Sequence, residues 1–139
     1  MAWTVTTTID KIYPVSSVMG NEMVVIKLDC TSDASGTTVY LDQVLGKLFW
    51  ESIRGKWMYG ILYIPDGTDT PTETPSIDLT GTGGYSWIDE DAMTADANKF
   101  VPGSDESGIF PPIEDGATFV STTLANTKKA AFYLYILRG

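Results

Sequence analysis

Histidine is absent from all 139 residues. That removes the commonest general base and the commonest zinc ligand together. A hydroxyl nucleophile needs a base beside it, so Ser/His chemistry is excluded and the many Ser and Thr residues have no visible activator. Cysteine occurs once, at Cys30, so no disulfide can form within the chain. No stretch nears the roughly 18 apolar residues that cross a bilayer as a helix, and no membrane partner is expected. The opening MAWTVTTTIDK has no basic start followed by an apolar run, so no signal peptide is expected and synthesis in a reducing cytosol is. The glycine run Gly81-Thr82-Gly83-Gly84 lacks the lysine that a phosphate-cradling loop requires.

Basic residues are scarce where acids are dense. Residues 66–115 hold twelve acids against Lys99 alone, a local balance of −11, while the remainder carries +2 and the whole chain −9. Nucleic-acid affinity rests on basic side chains meeting phosphates, so no nucleic acid is expected as a partner. The acid excess reads as a solvated, solubilising surface. Asp89-Glu90-Asp91 is its densest point, but the offsets and central glycine of a Ca²⁺ loop are missing, and the run reads as the start of a helix. Asp66-Gly67-Thr68-Asp69 reads as turn chemistry. A glycosidase-type carboxylate pair has no specificity among so many surface acids. No catalytic residue, cofactor or metal ligand is assigned, and the chain is not expected to be an enzyme.

What is present is a β pattern. A hydrophobic content of 43% and an aromatic content of 12% belong to a folded globule, expected to form a single domain over 1–139. Residues 3–9, WTVTTTI, place Trp3, Val5 and Ile9 on one face and Thr4, Thr6 and Thr8 on the other, the period of a strand with one dry side. Tyr13-Pro14 ends that strand and Met19-Gly20-Asn21 supplies a turn. Residues 22–30 follow with Val24, Ile26, Leu28 and Cys30 inward, which makes Cys30 a small buried apolar residue. Thr31–Thr37 reads as a loop and Thr38–Leu41 as a short strand.

Residues 42–54 are ambiguous. Val44, Leu45, Leu48 and Phe49 have helical spacing, whereas KLFWESI suits a strand and Gly46 weakens a helix. Arg54-Gly55-Lys56 reads as a hairpin turn into WMYGILYIP, which Pro65 stops. Beyond the Thr-rich loop stiffened by Pro71 and Pro75, Ile77 and Leu79 restart the alternation. Residues 89–98 are the best helix candidate, with acids suiting the N-terminal dipole. Residues 101–116, rich in Gly and Pro, read as a long surface excursion. Strands at 117–124 and 130–137, joined by a turn containing Asn126, complete about seven or eight. The expected fold class is all-β, an antiparallel β-sandwich or jelly roll with one short helix near 89–98.

The last strand, AAFYLYIL, is apolar on both sides. Phe132, Leu134 and Ile136 share one face, and Tyr133, Tyr135 and Leu137 the other. One face is expected under the opposing sheet and the other under a loop or a neighbouring subunit, a setting that suits tyrosine with its apolar body and polar tip. With aromatics at both ends of the chain, Trp3, Val5, Tyr133, Tyr135 and Leu137 are the candidate interface residues. The four tryptophans (Trp3, Trp50, Trp57, Trp87) could form a sugar-stacking platform, but core filling accounts for them more simply.

Residues 57–137 carry Gly60-Ile61-Leu62, then Pro65-Asp66-Gly67-Thr68, Thr70-Pro71-Thr72 and Ile77-Asp78-Leu79, an Ala/Asp-rich 91–98, and Tyr133-Leu134-Tyr135. This pattern resembles small structural proteins of tailed bacteriophages, of the capsid cement or decoration type. Gly84-Tyr85-Ser86-Trp87 stands where that family often has Gly-x-Asp. The resemblance implies a virion component on the outer surface of the capsid, made in the host cytoplasm. Its partners would be the major capsid protein and further copies of itself, as a dimer or trimer. A tail or receptor-binding virion part and a carbohydrate-binding module are the competing expectations.

Overall fold

The computed structural model describes residues 3–14, 22–32, 38–40, 50–51, 53–72, 75–81, 83, 85–90, 93–103, 110–114, 118–120 and 128–138. Among them run nine strands: β1 Trp3–Pro14, β2 Glu22–Ser32, β3 Thr38–Tyr40, β4 Trp57–Pro65, β5 Ile77–Thr80, β6 Ser86–Glu90, β7 Lys99–Pro102, β8 Thr118–Val120 and β9 Lys129–Arg138. They form two sheets, β1-β2-β9-β4-β7 and β3-β8-β5-β6. Every pairing is antiparallel. The chain is all-β.

The period-two pattern decides which side of each strand is dry. Val24, Ile26, Leu28 and Cys30 of β2 and Ala130, Phe132, Leu134 and Ile136 of β9 are buried. The register sets Ile26 beside Leu134 and Leu28 beside Phe132, so these rows interdigitate on one face. Met58, Ile61 and Tyr63 of β4 and Val101 of β7 continue that face. Ile77 and Leu79 of β5 and Ile88 of β6 come from the other sheet, and all of them belong to one buried cluster. Each large apolar side chain withdrawn from water in this way contributes about 1.5–3 kcal/mol.

Connecting segments supply the rest of the core. Trp50 and Ile53 lie on a single helical turn closed by the Arg54 N–H donating to the Trp50 carbonyl at 2.9 Å, not on a strand. Residues 41–49 lie outside the described residues. Gly55 then takes φ 77°, a left-handed conformation that glycine enters without steric cost. It turns the chain from a helical turn into β4, rather than joining two strands of a hairpin. Residues 101–116 are not simply a surface excursion. Val101 and Pro102 finish β7, and Val101, Gly103, Pro111 and Ile113 are buried. The Ile113 N–H donates to the Lys56 carbonyl and the Met58 N–H to the Pro111 carbonyl, so 111–113 runs beside the start of β4.

The helix expected over 89–98 is not formed. Asp89 and Glu90 end β6, and 93–98 is a turn; Asp91 and Ala92 lie outside the described residues. Ile88 is buried opposite Leu79, which draws this stretch into a ladder. What remains is too short to nucleate a helix on its own. The turn is tied down instead: Met93 is buried, its N–H donates to the Pro75 carbonyl at 2.9 Å, and the Tyr63 hydroxyl donates to the Ala95 carbonyl at 2.7 Å. Of the other expected segments, the Met19-Gly20-Asn21 turn, most of the 31–37 loop and the turn at Asn126 lie outside the described residues. The strand expected at 117–124 is seen at 118–120.

Tyr63→Phe removes the donor to Ala95 while keeping the ring packed at 5.4 Å on Phe132. A lower denaturant midpoint is expected, by about 1 kcal/mol, at unchanged slope. Urea melts followed by tryptophan fluorescence check it.

Candidate interaction surface

On β9 the residues that alternate with the buried row are Tyr133, Tyr135 and Leu137, and each is half-buried. They point away from the core. Antiparallel register carries the same face across the sheet, because directly opposed residues project to one side. On one flank Tyr133 meets Lys27, Tyr135 meets Val25 and Leu137 meets Met23. On the other flank Tyr133 meets Leu62, Tyr135 meets Gly60 and Leu137 meets Trp57. One strand further, Phe100 of β7 lies opposite Leu62.

A bulge shapes this face. The β4–β9 register shifts between Met58 and Gly60, leaving Tyr59 as the extra residue. The inward row therefore reads Met58, Ile61, Tyr63, and both Trp57 (45% exposed) and Tyr59 (37%) are turned outward. The Tyr59 carbonyl accepts from the Gly103 N–H at 2.7 Å, so the bulge leaves no orphan acceptor there. Gly60 makes room for a ring: a Cβ at that position would run into Phe100. Phe100, 40% exposed, therefore lies over the Gly60 backbone. It meets Tyr135 edge-on at 5.8 Å and Tyr59 at 6.3 Å, and Tyr59 meets Phe110 at 5.2 Å. Edge-to-face and tilted pairs of this kind contribute about 0.5–1.5 kcal/mol each. The result is a chain of four rings with Trp57, Leu62 and Leu137 close by in register.

One end of this face is polar. Lys27 lies 5.7 Å from the Tyr133 ring centre and 3.5 Å from Asp29. Asp29 first, and then Tyr133, hold its ammonium above the usual value. Beside it a groove of about 280 Å³ runs between Lys27, Asp29, Thr31, Pro65, Asp66 and Lys129. Asp66 caps its own turn, its carboxylate accepting from the N–H groups of Thr68 (2.9 Å) and Asp69 (2.7 Å). The N–H groups of Asp69 and Thr68 hold that carboxyl below the ordinary range. Asp66-Gly67-Thr68-Asp69 is thus a self-satisfied turn, further tied by Lys129 at 3.5 Å from Asp69.

A second, smaller aromatic pair lies on the other sheet. Tyr85 (62% exposed) and Trp87 (39%) pack edge-on at 5.0 Å, and the Trp87 indole N–H donates to Glu114 at 3.1 Å. Among the tryptophans, then, Trp50 fills the core but Trp57 and Trp87 do not, contrary to the expectation of core filling. Among the described residues no three His, Cys, Asp or Glu side chains come together as a metal-holding group. Asp89 and Glu90 are adjacent on a strand, so their side chains project to opposite faces, and Glu90 lies 3.8 Å from Lys99.

The five candidate interface residues divide between two strands. Tyr133, Tyr135 and Leu137 are together on the outer face. Trp3 and Val5 stand at register positions opposite Ser32 and Cys30, on the edge strand β1. Trp57, Tyr59, Leu62 and Phe100 join the outer face without having been singled out. The first three are signalled only by the apolar run WMYGIL broken by a glycine, since which side each takes depends on the bulge, and Phe100 is placed by its register with Leu62. No protein-family model, no curated protein and no solved structure matches this chain.

Cys30 is buried, its thiol 3.8 Å from the Leu28 carbonyl. Burial, then the Asp29 charge, pushes its pKa up from 9.0 to about 12. The folded state keeps this proton longer than the unfolded chain, so the group leaves stability intact below about pH 9 and erodes it as pH climbs toward 12. Native protein at pH 8 is expected to be inert to a thiol reagent such as dithionitrobenzoate. One thiol per chain should react once the protein is denatured. Fast labelling of native protein would contradict this burial.

Proposed function

We propose that this chain is a virion structural protein, a capsid decoration or cement protein bound to the outside of an icosahedral phage head. It acts by bridging capsomers and docks through the outer face of the five-stranded sheet. The observation that carries the reading is the aromatic row Tyr59–Phe100–Tyr135 with exposed Trp57, held on a sheet whose opposite face is the core. Aromatic side chains are the usual anchors of protein interfaces, because they bury much area at little entropic cost. A rigid sheet face presents them without a further ordering penalty. The phage-type pattern over 57–137 supports the same reading, since the Gly60-Ile61-Leu62 and Tyr133-Leu134-Tyr135 elements of that pattern lie next to each other on this surface. An acidic surface over 66–115 suits a site facing away from packaged nucleic acid. The major capsid protein is the partner, and bridging stabilises the head because separating capsomers re-exposes the buried rings to water.

A second reading is favoured by one observation. Trp57 and Trp87 are exposed on sheets, as stacking platforms of carbohydrate-binding modules are. Hits on a glycan array that vanish with Trp57→Ala or Trp87→Ala would favour it over the first. Immunogold labelling of gently treated particles separates a head protein from a tail or receptor-binding part.

The direct test is addition of purified protein to heads that lack it. The wild type is expected to co-sediment and to raise the temperature at which heads break open. Tyr133→Ala with Tyr135→Ala is expected to weaken binding by about 30-fold or more, the weight of one interface hot spot. Its circular dichroism should remain that of the folded monomer. Substrate turnover by the protein, or its absence from every assembled particle, would overturn the reading.

A further inference from the structure

Sheet edges are where one chain most readily takes up another, because backbone N–H and C=O groups point outward there. Among the described residues four strands are edges: β1 and β7 of one sheet, β3 and β6 of the other. Three are blunted. β3 has only 3 residues. β7 has 4, beginning with Lys99 and ending in Pro102, which has no N–H to give. β6 has 5 and carries Asp89 and Glu90, charges that disfavour the addition of another strand.

β1 differs. It has 12 residues, the longest strand of the nine. A bulge between Ile9 and Lys11, with Asp10 and Lys11 beside it, disturbs its second half. Its first half, Trp3–Ile9, runs in unbroken register with Ser32–Ile26 and contains no charge, no proline and no glycine. Its sequence thus holds neither the charge nor the proline that blunts an edge, and among the described residues no strand pairs on its outer side.

We propose that Trp3–Ile9 pairs antiparallel with the same segment of a second copy, across a two-fold axis, so that two five-stranded sheets become one continuous sheet. Self-pairing is what this edge fits. Threonines would oppose uncharged residues at every position, and Thr–Thr pairs are favourable across strands. A foreign strand would need a charge or a pocket to be selected, and Trp3–Ile9 offers no charge; a second copy brings an equally uncharged edge of the same length about a two-fold axis. Pairing of β1 with any other edge of a copy would be head-to-tail and open-ended, and would meet Lys99 and Pro102 or the acids of β6. Charge agrees as well. Residues 1–32 carry Asp10, Glu22 and Asp29 against Lys11 and Lys27, so this part of a chain of net charge −9 is nearly neutral. The register positions of Val5 and Ile9 lie on the face that carries Cys30 and Ile26, so pairing extends the core face of the sheet across the axis.

This inference stands apart from head binding, which is read through Tyr133 and Tyr135; either can fail alone. The test is sedimentation equilibrium of the full chain over a wide dilution series, for the wild type and for Thr6→Lys with Thr8→Lys. A wild-type dimer is expected, with its dissociation constant raised by about a hundredfold or more when the two lysines at position 6 oppose each other at the axis and those at position 8 lie diagonal to them. Circular dichroism and the urea midpoint of the variant report whether it folds. If it does not fold, amide exchange of the wild type decides: protection of Thr4–Ile9 should rise with protein concentration. A wild type monomeric throughout, a dimer unmoved by the lysines, or β1 exchange independent of concentration each overturns the proposal.

Discussion

The structure depends on the antiparallel seating of β9 between β2 and β4. This strand supplies Phe132, Leu134 and Ile136 to the core and Tyr133, Tyr135 and Leu137 to the outer face. A slip of one residue would exchange the two rows and put phenylalanine, leucine and isoleucine into water. Register is set from both flanks, with Ile26 and Ile61 each opposed to Leu134. Because those partners lie far apart in the chain, the sheet is closed by non-local pairing, whose loop-closure entropy must be met before any core area is gained. A strand apolar on both sides is tolerable only because its neighbours fix which side is which.

The same seating generates the surface. A sheet with strict alternation on β4 would send Trp57, Tyr59 and Ile61 to one side. The extra residue at Tyr59 changes the count, so Ile61 turns inward while Trp57 and Tyr59 stay out. Gly60 then opposes Tyr135 with no side chain of its own, and the Phe100 ring occupies the space from the neighbouring strand. Bulge, glycine and ring form one device: without the glycine the ring has no floor. Val25, opposite Tyr135 and outside the core cluster, is nevertheless only 1% exposed, so this side of the sheet is already packed at its centre. The exposed rings Trp57, Tyr59 and Phe100 lie beyond β9 from that packed position, on β4 and β7.

Four strands were legible: β2, β4, β5 and β9 follow from Val24-x-Ile26-x-Leu28, the run before Pro65, Ile77-x-Leu79 and the final aromatic strand. The inward rows of β2, β5 and β9 were legible too, Cys30 included, whereas that of β4 depends on the bulge. What failed was local propensity where tertiary pairing overrode it. Asp89-Glu90 suits a helix start, yet β6 pairs with β5 even though Asp78 stands opposite Asp89, a like-charge pair that disfavours the ladder. Burial of Ile88 and Leu79 outweighs it, and the Ser86 hydroxyl donates to Asp78. The Gly/Pro content of 101–116 hid Val101, Pro111 and Ile113, because punctuation residues say where the chain turns and not which side chains between them are buried. Of the outer aromatic face, Tyr133, Tyr135 and Leu137 were readable from alternation alone; Trp57, Tyr59 and Phe100 were not, since register between distant strands places them.

Charge distribution gives the molecule a polarity that its net value of −9 conceals. Among the described residues the acid-rich stretch 66–115 reaches the five-stranded sheet as β7 and through the Pro112 bridge to Trp57, and supplies β5 and β6 of the other sheet. β1 and β7 are the two edges of the first sheet, four inter-strand steps apart, or about 19 Å at the usual spacing. Physiological salt screens charge over about 8 Å, so charge at the β7 edge exerts little force at the β1 edge. The outer face between those edges carries Lys27 at one end and rings through its middle, with Lys99 the sole base of the acidic stretch. A strongly acidic chain can in this way keep a neutral edge and an aromatic face, because strand order puts them on one sheet and the acids of β5 and β6 on the other.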